Sequence, residues 1–396
     1  MIRLSYKHTV ASCLIGSACQ ALICNFPPLL FLTFSKQYGI PLGQMTLIVT
    51  VNFFIQLLTD LVASFVADKV GYRFCLVLSH IMCFLGLTSL TILPELIDGI
   101  GGFVISAAIW GVGGGLLEVV ASPAIEACPM KNKSAMMSFL HSCYCWGVVI
   151  VVVISSVFFS TAGTENWKIM TLAWSALPFL NAIYLLFVPM YTLPKVEEGK
   201  RGAGKSTFAV GIFWVFLLMM ICAGASEQAV HQWSSTLAEA TLKVDKTLGD
   251  LIGVCGFAIM MGIARVLYGK FSGKISPKLA LMSGAALTVV SFTMIALAPV
   301  PVVGLLGCVL CGFSVGIFWP ATLSVASANM PYTTTATFAF LALAGDVGCT
   351  SGPTVVGFVT DAFGGNFTYG IMAALIFPVG LFIATALVKL KKNKRL

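Results

Sequence analysis

Residues 99–127 read GIGGFVISAAIWGVGGGLLEVVASPAIEA, and within them only Glu118 and Glu126 carry charge. A run this long and this apolar suits a single membrane-crossing helix, because the hydrocarbon core of a bilayer takes about 20 apolar residues. The chain around it has the same character. Of its 396 residues, 58% are hydrophobic and 10% charged, where a soluble domain holds about 45–50% and 25%. The mean hydropathy is +0.98. That much apolar surface excludes a water-soluble fold and implies an integral membrane protein. The apolar runs are continuous and lack the alternation of barrel strands, so the spans are helices.

Twelve spans are expected, at 9–34, 43–67, 74–96, 99–127, 135–160, 168–191, 208–236, 248–269, 279–299, 302–327, 336–360 and 368–389. Turn chemistry marks the joints: Gly39 with Pro41, Gly71, Asp98-Gly99, Pro299 with Pro301, Pro331 and Gly364-Gly365. Pro27-Pro28 falls late in the first span and should kink or break it. With the N-terminus inside, eighteen of the twenty-three lysines and arginines lie on the cytoplasmic side. Four lie outside (Lys36, Lys168, Lys243 and Lys246), and Arg265 falls within a span. The excess of positive charge inside places both termini in the cytoplasm. The net charge of +8 is then a topology signal, and no nucleic-acid partner is expected. The expected location is a bacterial plasma membrane.

The longest polar stretch, Leu193 to Ser206, divides the spans six and six. The expected domains are an N-terminal six-helix bundle at 1–192, a cytoplasmic linker at 193–207 and a C-terminal six-helix bundle at 208–396. A duplication is visible across the linker. Phe139-Leu140 followed by Gly147 recurs as Phe340-Leu341 followed by Gly348, an offset of 201, and the same offset places Gly111 and Gly115 on Gly312 and Gly316. Two repeats of like orientation, six spans each, build one large transporter architecture with its site near the midplane. The fold expected is therefore an all-α membrane protein of two six-helix bundles, working as a monomer.

Two patterns read as decoys. Gly199 to Ser206 satisfies the phosphate-binding-loop pattern, but that loop works between a strand and a helix, and here it is a basic linker. Cys308-x-x-Cys311 has a metal or redox spacing without a second ligand pair, so the thirteen cysteines read as small packing residues. No cofactor and no metal are expected. With no nucleophile–base constellation, the chain is not expected to be an enzyme.

Ionisable groups inside spans carry more information. Each costs about 2.5–3.5 kcal/mol to insert, and such groups line cavities or proton paths. Asn52, Gln56 and Asp60 recur every four residues and form one polar stripe on span two. Glu227 and His231 do the same on span seven, beside Gln228 and Trp233. His80 reads as an internally satisfied histidine. Glu118 follows Gly113-Gly114-Gly115, which let a neighbouring helix come close, and precedes Pro123, which frees a carbonyl one turn earlier.

Ser64-Phe-Val-Ala-Asp68-Lys69-Val-Gly71-Tyr72-Arg73 resembles the signature of the major facilitator superfamily, and Gly269 to Lys278 is its second copy with Gly273 in place of the aspartate. The resemblance implies a gate at the cytoplasmic face made by Asp68, Lys69, Gly71 and Arg73, to which Asp60 and Arg265 are added. Three segments resemble the fucose permease branch, the fucose–galactose–glucose:proton symporters: Glu118-x-x-Ala121-x-Pro123, Leu140-His-Ser-Cys-Tyr-Cys-Trp-Gly147, and Gly345-Asp346-x-Gly348-x-x-x-Gly352-Pro353. In that branch the glutamate takes part in substrate binding and proton coupling, which assigns those roles to Glu118, with Asp346 as a second coupling residue. Two departures stand out. Span one carries Gln20 and Asn25 but no acid, and Tyr144 stands where that branch has an asparagine.

The expected substrate contacts are Asn25, Gln56, Glu118, His141, Tyr144, Glu227, Gln228, His231, Trp233 and Trp319. Aromatic rings would stack on a sugar face while amides and carboxylates bond its hydroxyls. The expected function is import of a small polar solute, a sugar first, by proton symport with alternating access. The alternatives are a proton-independent sugar facilitator and an exporter of drugs or lipids. Against export, Gly147-Val-Val-Ile lacks the Gly-Pro pair of drug antiporters.

Overall fold

A computed structural model of the chain describes residues 4–130, 133–191, 211–271, 275–329 and 335–388, without the side chains of a few helical residues, among them Ser64, Asp68 and His141. The linker 193–207 with its phosphate-loop look-alike, and Pro331, lie outside the described residues. Among the described residues there is no strand. In the first half the helices are α1 (Tyr6–Tyr38), α2 (Thr46–Val70), α3 (Tyr72–Leu90), α4 (Gly101–Glu126), α5 (Lys133–Ala162) and α6 (Trp167–Phe187). In the second they are α7 (Gly211–Ala240), α8 (Lys246–Phe271), α9 (Pro277–Ala296), α10 (Pro301–Leu323), α11 (Thr335–Ala362) and α12 (Phe367–Leu387). Eleven stretches among the described residues are long and apolar enough to cross a membrane, and α11 fills the remaining place in the order of twelve.

The joints follow from backbone chemistry. Gly39, Gly71, Gly99 and Gly364 adopt φ of 65°, 96°, 70° and 68°, a region that only glycine enters without a Cβ penalty. The expected break in α1 is present. It is α-helical to Asn25, narrows to a 3-10 turn at Pro27–Leu30 and resumes at Phe31. Helix α7 breaks as well, between His231 and Ser234, where no proline announces it. Helix α8 contains a π-helical turn at Gly249–Cys255.

By contact the chain forms two units. The first holds Met1–Pro194 together with Asp245–Leu251, and the second holds Lys195–Val244 and Ile252–Leu396. In the first unit α4 lies against α2 through glycine. A Cβ at Gly111 would sit 2.9 Å from the Asn52 carbonyl oxygen, and one at Gly115 would sit 2.8 Å from that of Gln56. In the second unit Gly312 and Gly316 stand in the same way over the carbonyls of Phe257 and Met261. The repeat legible in sequence is thus a repeat of packing, in which the absence of a side chain lets two backbones meet.

His80 is the satisfied histidine that was expected. Its Nδ1 lies 2.7 Å from the Leu76 carbonyl, while its Nε2 lies 2.7 Å from the Asn181 amide nitrogen. That amide also donates to the Ser12 carbonyl at 3.0 Å. The His80 imidazole and the Asn181 amide together therefore tie α1, α3 and α6 into a unit.

Candidate functional site

Helix α2 has two faces of opposite chemistry. Phe54, Leu58, Leu61, Val62 and Phe65 are exposed, which suits contact with acyl chains, while Asn52, Gln56 and Asp60 are buried at 4%, 3% and 5%. The four-residue spacing puts the three polar groups one above another on the inward side. The amides link in sequence: Gln20 Nε2 donates to Gln56 Oε1 at 2.8 Å, and Gln56 Nε2 donates to Asn52 Oδ1 at 2.9 Å. Cys24 Sγ on α1 accepts more distantly from both Asn52 and Gln56. Next to this row, Asn25 donates to the Tyr144 hydroxyl at 3.1 Å and to the Ala21 carbonyl at 2.8 Å. Asn25 is buried and Tyr144 half-buried.

Glu118 completes this face. It lies three and four residues beyond Gly115 and Gly114, so it shares their side of α4. That side is the inward one. A Cβ on Gly114 would lie 2.9 Å from Gln56 Cδ and 3.0 Å from Gln20 Oε1, and one on Gly115 would lie 2.8 Å from Asp60 Oδ1. Yet Glu118 is solvent-accessible, and its carboxylate comes within 4.8 Å of that of buried Asp60. The lipid-facing reading fails on the position of its glycine neighbours.

The second unit is arranged differently. Helix α7 is enclosed on every side from Cys222 to Ala238. Glu227 meets Arg265 of α8 at 3.5 Å, and Arg265 also donates to the Gly316 carbonyl at 3.3 Å. Gln232 donates to Gln228 at 2.9 Å, and Gln228 reaches Glu227 at 3.5 Å. His231 is 2% exposed and stacks on Phe257 with ring centroids 4.7 Å apart and planes 7° apart. Trp233 is 1% exposed, and its indole donates to the Pro353 carbonyl at 3.0 Å. In this structure His231 and Trp233 are closed in by packing and offer no surface to a solute. Trp319 is half-buried against Gly345, and Asp346 beside it is half-buried. His141 and Asp68 lie among the side chains left undescribed.

Arg73 and Lys278 serve matching ends. Arg73 donates to the Leu185 carbonyl at 3.4 Å, the Val188 carbonyl at 2.9 Å and the Leu186 carbonyl, closing the C-terminus of α6. Lys278 donates to the Ala386 and Val388 carbonyls at 2.8 and 2.6 Å at the end of α12. Each supplies positive charge where a helix presents unpaired carbonyls and the negative end of its dipole. Gly71 ends α2, and Lys69 is exposed beside it. The sequence pattern marks neither Gln20 as a bridge to Gln56 nor Asp250, which accepts from the Ser156 hydroxyl at 3.4 Å and pairs with Lys246 at 3.3 Å. Both depend on contacts between helices that no spacing along one helix encodes.

The family model described as Major Facilitator Superfamily matches residues 13–353 and 240–396. A curated relative, "Membrane protein MosC" of Rhizobium meliloti, is 20% identical over 297 residues, covering 74% of this chain and 69% of its own. Among solved structures, a D-xylose-proton symporter superposes with a TM-score of 0.77 at 15% identity, over 96% of this chain and 95% of that one. The nucleoside transporter NupG gives 0.74 at 15% identity, over 96% and 98%. The transporter FucP, in an outward conformation, gives 0.67 at 17% identity, over 96% and 98%. At these identities the likeness is one of fold.

Proposed function

The chain belongs to the major facilitator superfamily, and from that premise we propose that it imports a small polar solute, a sugar first, by proton symport through Glu118. The observation that carries the reading is the water-accessible Glu118 carboxylate beside buried Asp60 on the inward face of the first unit. An ionised carboxylate is costly to hold in a low-dielectric interior, so taking up a proton and taking up solute are naturally coupled there. The adjoining row of Gln20, Gln56 and Asn52, with Asn25 and Tyr144, offers the amides and hydroxyl that polyol recognition needs. The likeness to a xylose–proton symporter fold supports a sugar, and the likeness to a nucleoside transporter makes nucleosides the first competitor.

In this reading Glu118 and Asp346 take part in proton coupling and the two halves are six-helix bundles that alternate access. The charge count places both termini in the cytoplasm. Arg73, held to α6 by three carbonyls, anchors the start of α3 directly after the end of α2, where Asp68 and Lys69, with Gly71, are the residues assigned to the gate.

Glu118→Gln tests the coupling in proteoliposomes. Exchange of solute at equal pH should persist, while accumulation driven by an inward proton gradient should disappear. Gradient-driven accumulation at the wild-type level would remove Glu118 from the mechanism.

A further inference from the structure

The first described turns of α7 carry Ile212 and Val215, whose three-residue spacing puts them on one side of the helix. The end of α12 stands against that side. Ile212, Val215, Leu387 and Val388 together line a groove of about 260 Å³. All four side chains are aliphatic. Val388 is 3% exposed and lies at the base of the groove, while Leu387 is 72% exposed and stands at its rim. Every residue of the groove belongs to the second unit.

The rim is positive. Lys278, near the start of α9, donates to the Val388 and Ala386 carbonyls at 2.6 and 2.8 Å, so its ammonium stands beside a residue of the groove. An ammonium has three donors, and two carbonyls leave one for a further acceptor. After Val388 come residues 389–396, KLKKNKRL, which lie outside the described residues and hold five basic residues in eight. A cluster of about 4–8 lysines and arginines directly cytoplasmic of a spanning helix attracts anionic headgroups. On the positive-inside count this end of α12 is cytoplasmic, the side on which anionic lipids concentrate. Trp214, next in the chain to Val215, is 56% exposed, and tryptophan gathers at the level of the headgroups. A soluble anion gains nothing from four aliphatic side chains, and a zwitterionic lipid gains little from so much positive charge. An anionic lipid uses both.

We propose that this groove binds one anionic phospholipid of the cytoplasmic leaflet. An acyl chain lies along Ile212, Val215, Leu387 and Val388, and the phosphate meets Lys278 and the basic residues of 389–396. Occupancy holds the ends of α7 and α12 together, so the lipid stabilises the second unit by binding its folded form. The inference rests neither on proton coupling nor on which solute is carried.

Native mass spectrometry of the purified full chain, released from micelles holding equal amounts of phosphatidylglycerol and phosphatidylcholine, tests the site. The wild-type chain should retain one phosphatidylglycerol, about tenfold in preference to phosphatidylcholine. Lys278→Gln should weaken that retention about fivefold, the worth of one basic residue at an anionic surface, and Lys278→Arg should leave it unchanged. Changing Lys389, Lys391, Lys392, Lys394 and Arg395 together to glutamine should weaken it by more than about tenfold. Val215→Trp fills the groove and should weaken it about tenfold with every charge in place, and Ile212→Trp serves if Val215→Trp lowers the unfolding temperature. No retained lipid, or equal retention of the two, would overturn the proposal. A loss in the glutamine variant with none in Val215→Trp or Ile212→Trp would leave only a diffuse attraction to 389–396 and overturn the groove. Paired chains in place of lipid adducts, lost in Val215→Trp, would give the groove to a second copy and overturn it as well.

Discussion

Where α2 of the first unit carries Asn52, Gln56 and Asp60, α8 of the second carries Phe257, Met261 and Arg265. The correspondence is fixed by packing, since Gly111 and Gly115 stand over the carbonyls of Asn52 and Gln56 as Gly312 and Gly316 stand over those of Phe257 and Met261. One scaffold therefore holds two chemistries. In the first unit the inward face is a row of amides ending in a pair of carboxyls, one of them open to water. In the second the equivalent face is apolar, and its single cation is matched to Glu227 across 3.5 Å. The glycines admit no Cβ without moving a backbone, so they tie the two halves to one geometry. The side chains around them are under no such constraint and have diverged into a row of amides and carboxyls on α2 and a face of Phe257, Met261 and Arg265 on α8.

If the second unit is sealed by charge matching, Arg265→Met should be the most damaging change of this set. It leaves Glu227, buried to within 7% of its side chain, without its guanidinium. Removing one partner of a buried pair costs about 3–5 kcal/mol, and about 3 is expected because Arg265 keeps 24% of its side chain exposed. The double change Arg265→Met with Glu227→Gln should recover most of that loss in thermal unfolding. If the single change were neutral, Glu227 would not depend on its guanidinium and the contrast would fall.

The shared scaffold is the next target. Gly312→Ala drives a methyl into the Phe257 carbonyl, and overpacking of this kind costs about 1–3 kcal/mol. Gly111→Ala, whose Cβ would stand 2.9 Å from the Asn52 oxygen, should fall toward the lower end of that range. Both should lower the unfolding temperature, with Gly312→Ala lower. The reverse order would mean that the first unit, for all its polar chemistry, is the tighter of the two.

The same contrast explains what could be read from sequence. Apolar runs, punctuating glycines and the Pro27–Pro28 break act locally, so the spans and joints are legible residue by residue. The α2 stripe is legible because one face is polar and the other, with Phe54, Leu58 and Phe65, meets lipid. Helix α7 has no such contrast. It is buried all round from Cys222 to Ala238, and spacing alone made Glu227 and His231 look like one lining. His231 instead lies flat on Phe257. Lys246 was readable only as an outer charge, because its partner at Leu29 is a backbone carbonyl, which no residue letter reports. Glu118 stood out for a different reason: a charge inside an apolar run announces its own cost.

The smallest expected effect concerns a place where the two units agree in chemistry. Arg73 and Lys278 each close the last carbonyls of the sixth helix in their own half. Both are half-buried and near water, so the interaction of each with its helix end is worth about 0.3–1 kcal/mol. Arg73→Met and Lys278→Met should each speed amide exchange in the final turn of α6 or α12 and leave the rest of the chain unchanged. Arg73→Lys should lose part of the effect, since an ammonium does not offer the planar fork with which Arg73 reaches Leu185, Leu186 and Val188 together. Lys278→Arg should be nearly neutral, because two carbonyls are within reach of a single donor group there. A larger loss at Lys278 than at Arg73 would show that the second unit is the one that depends more on its ends.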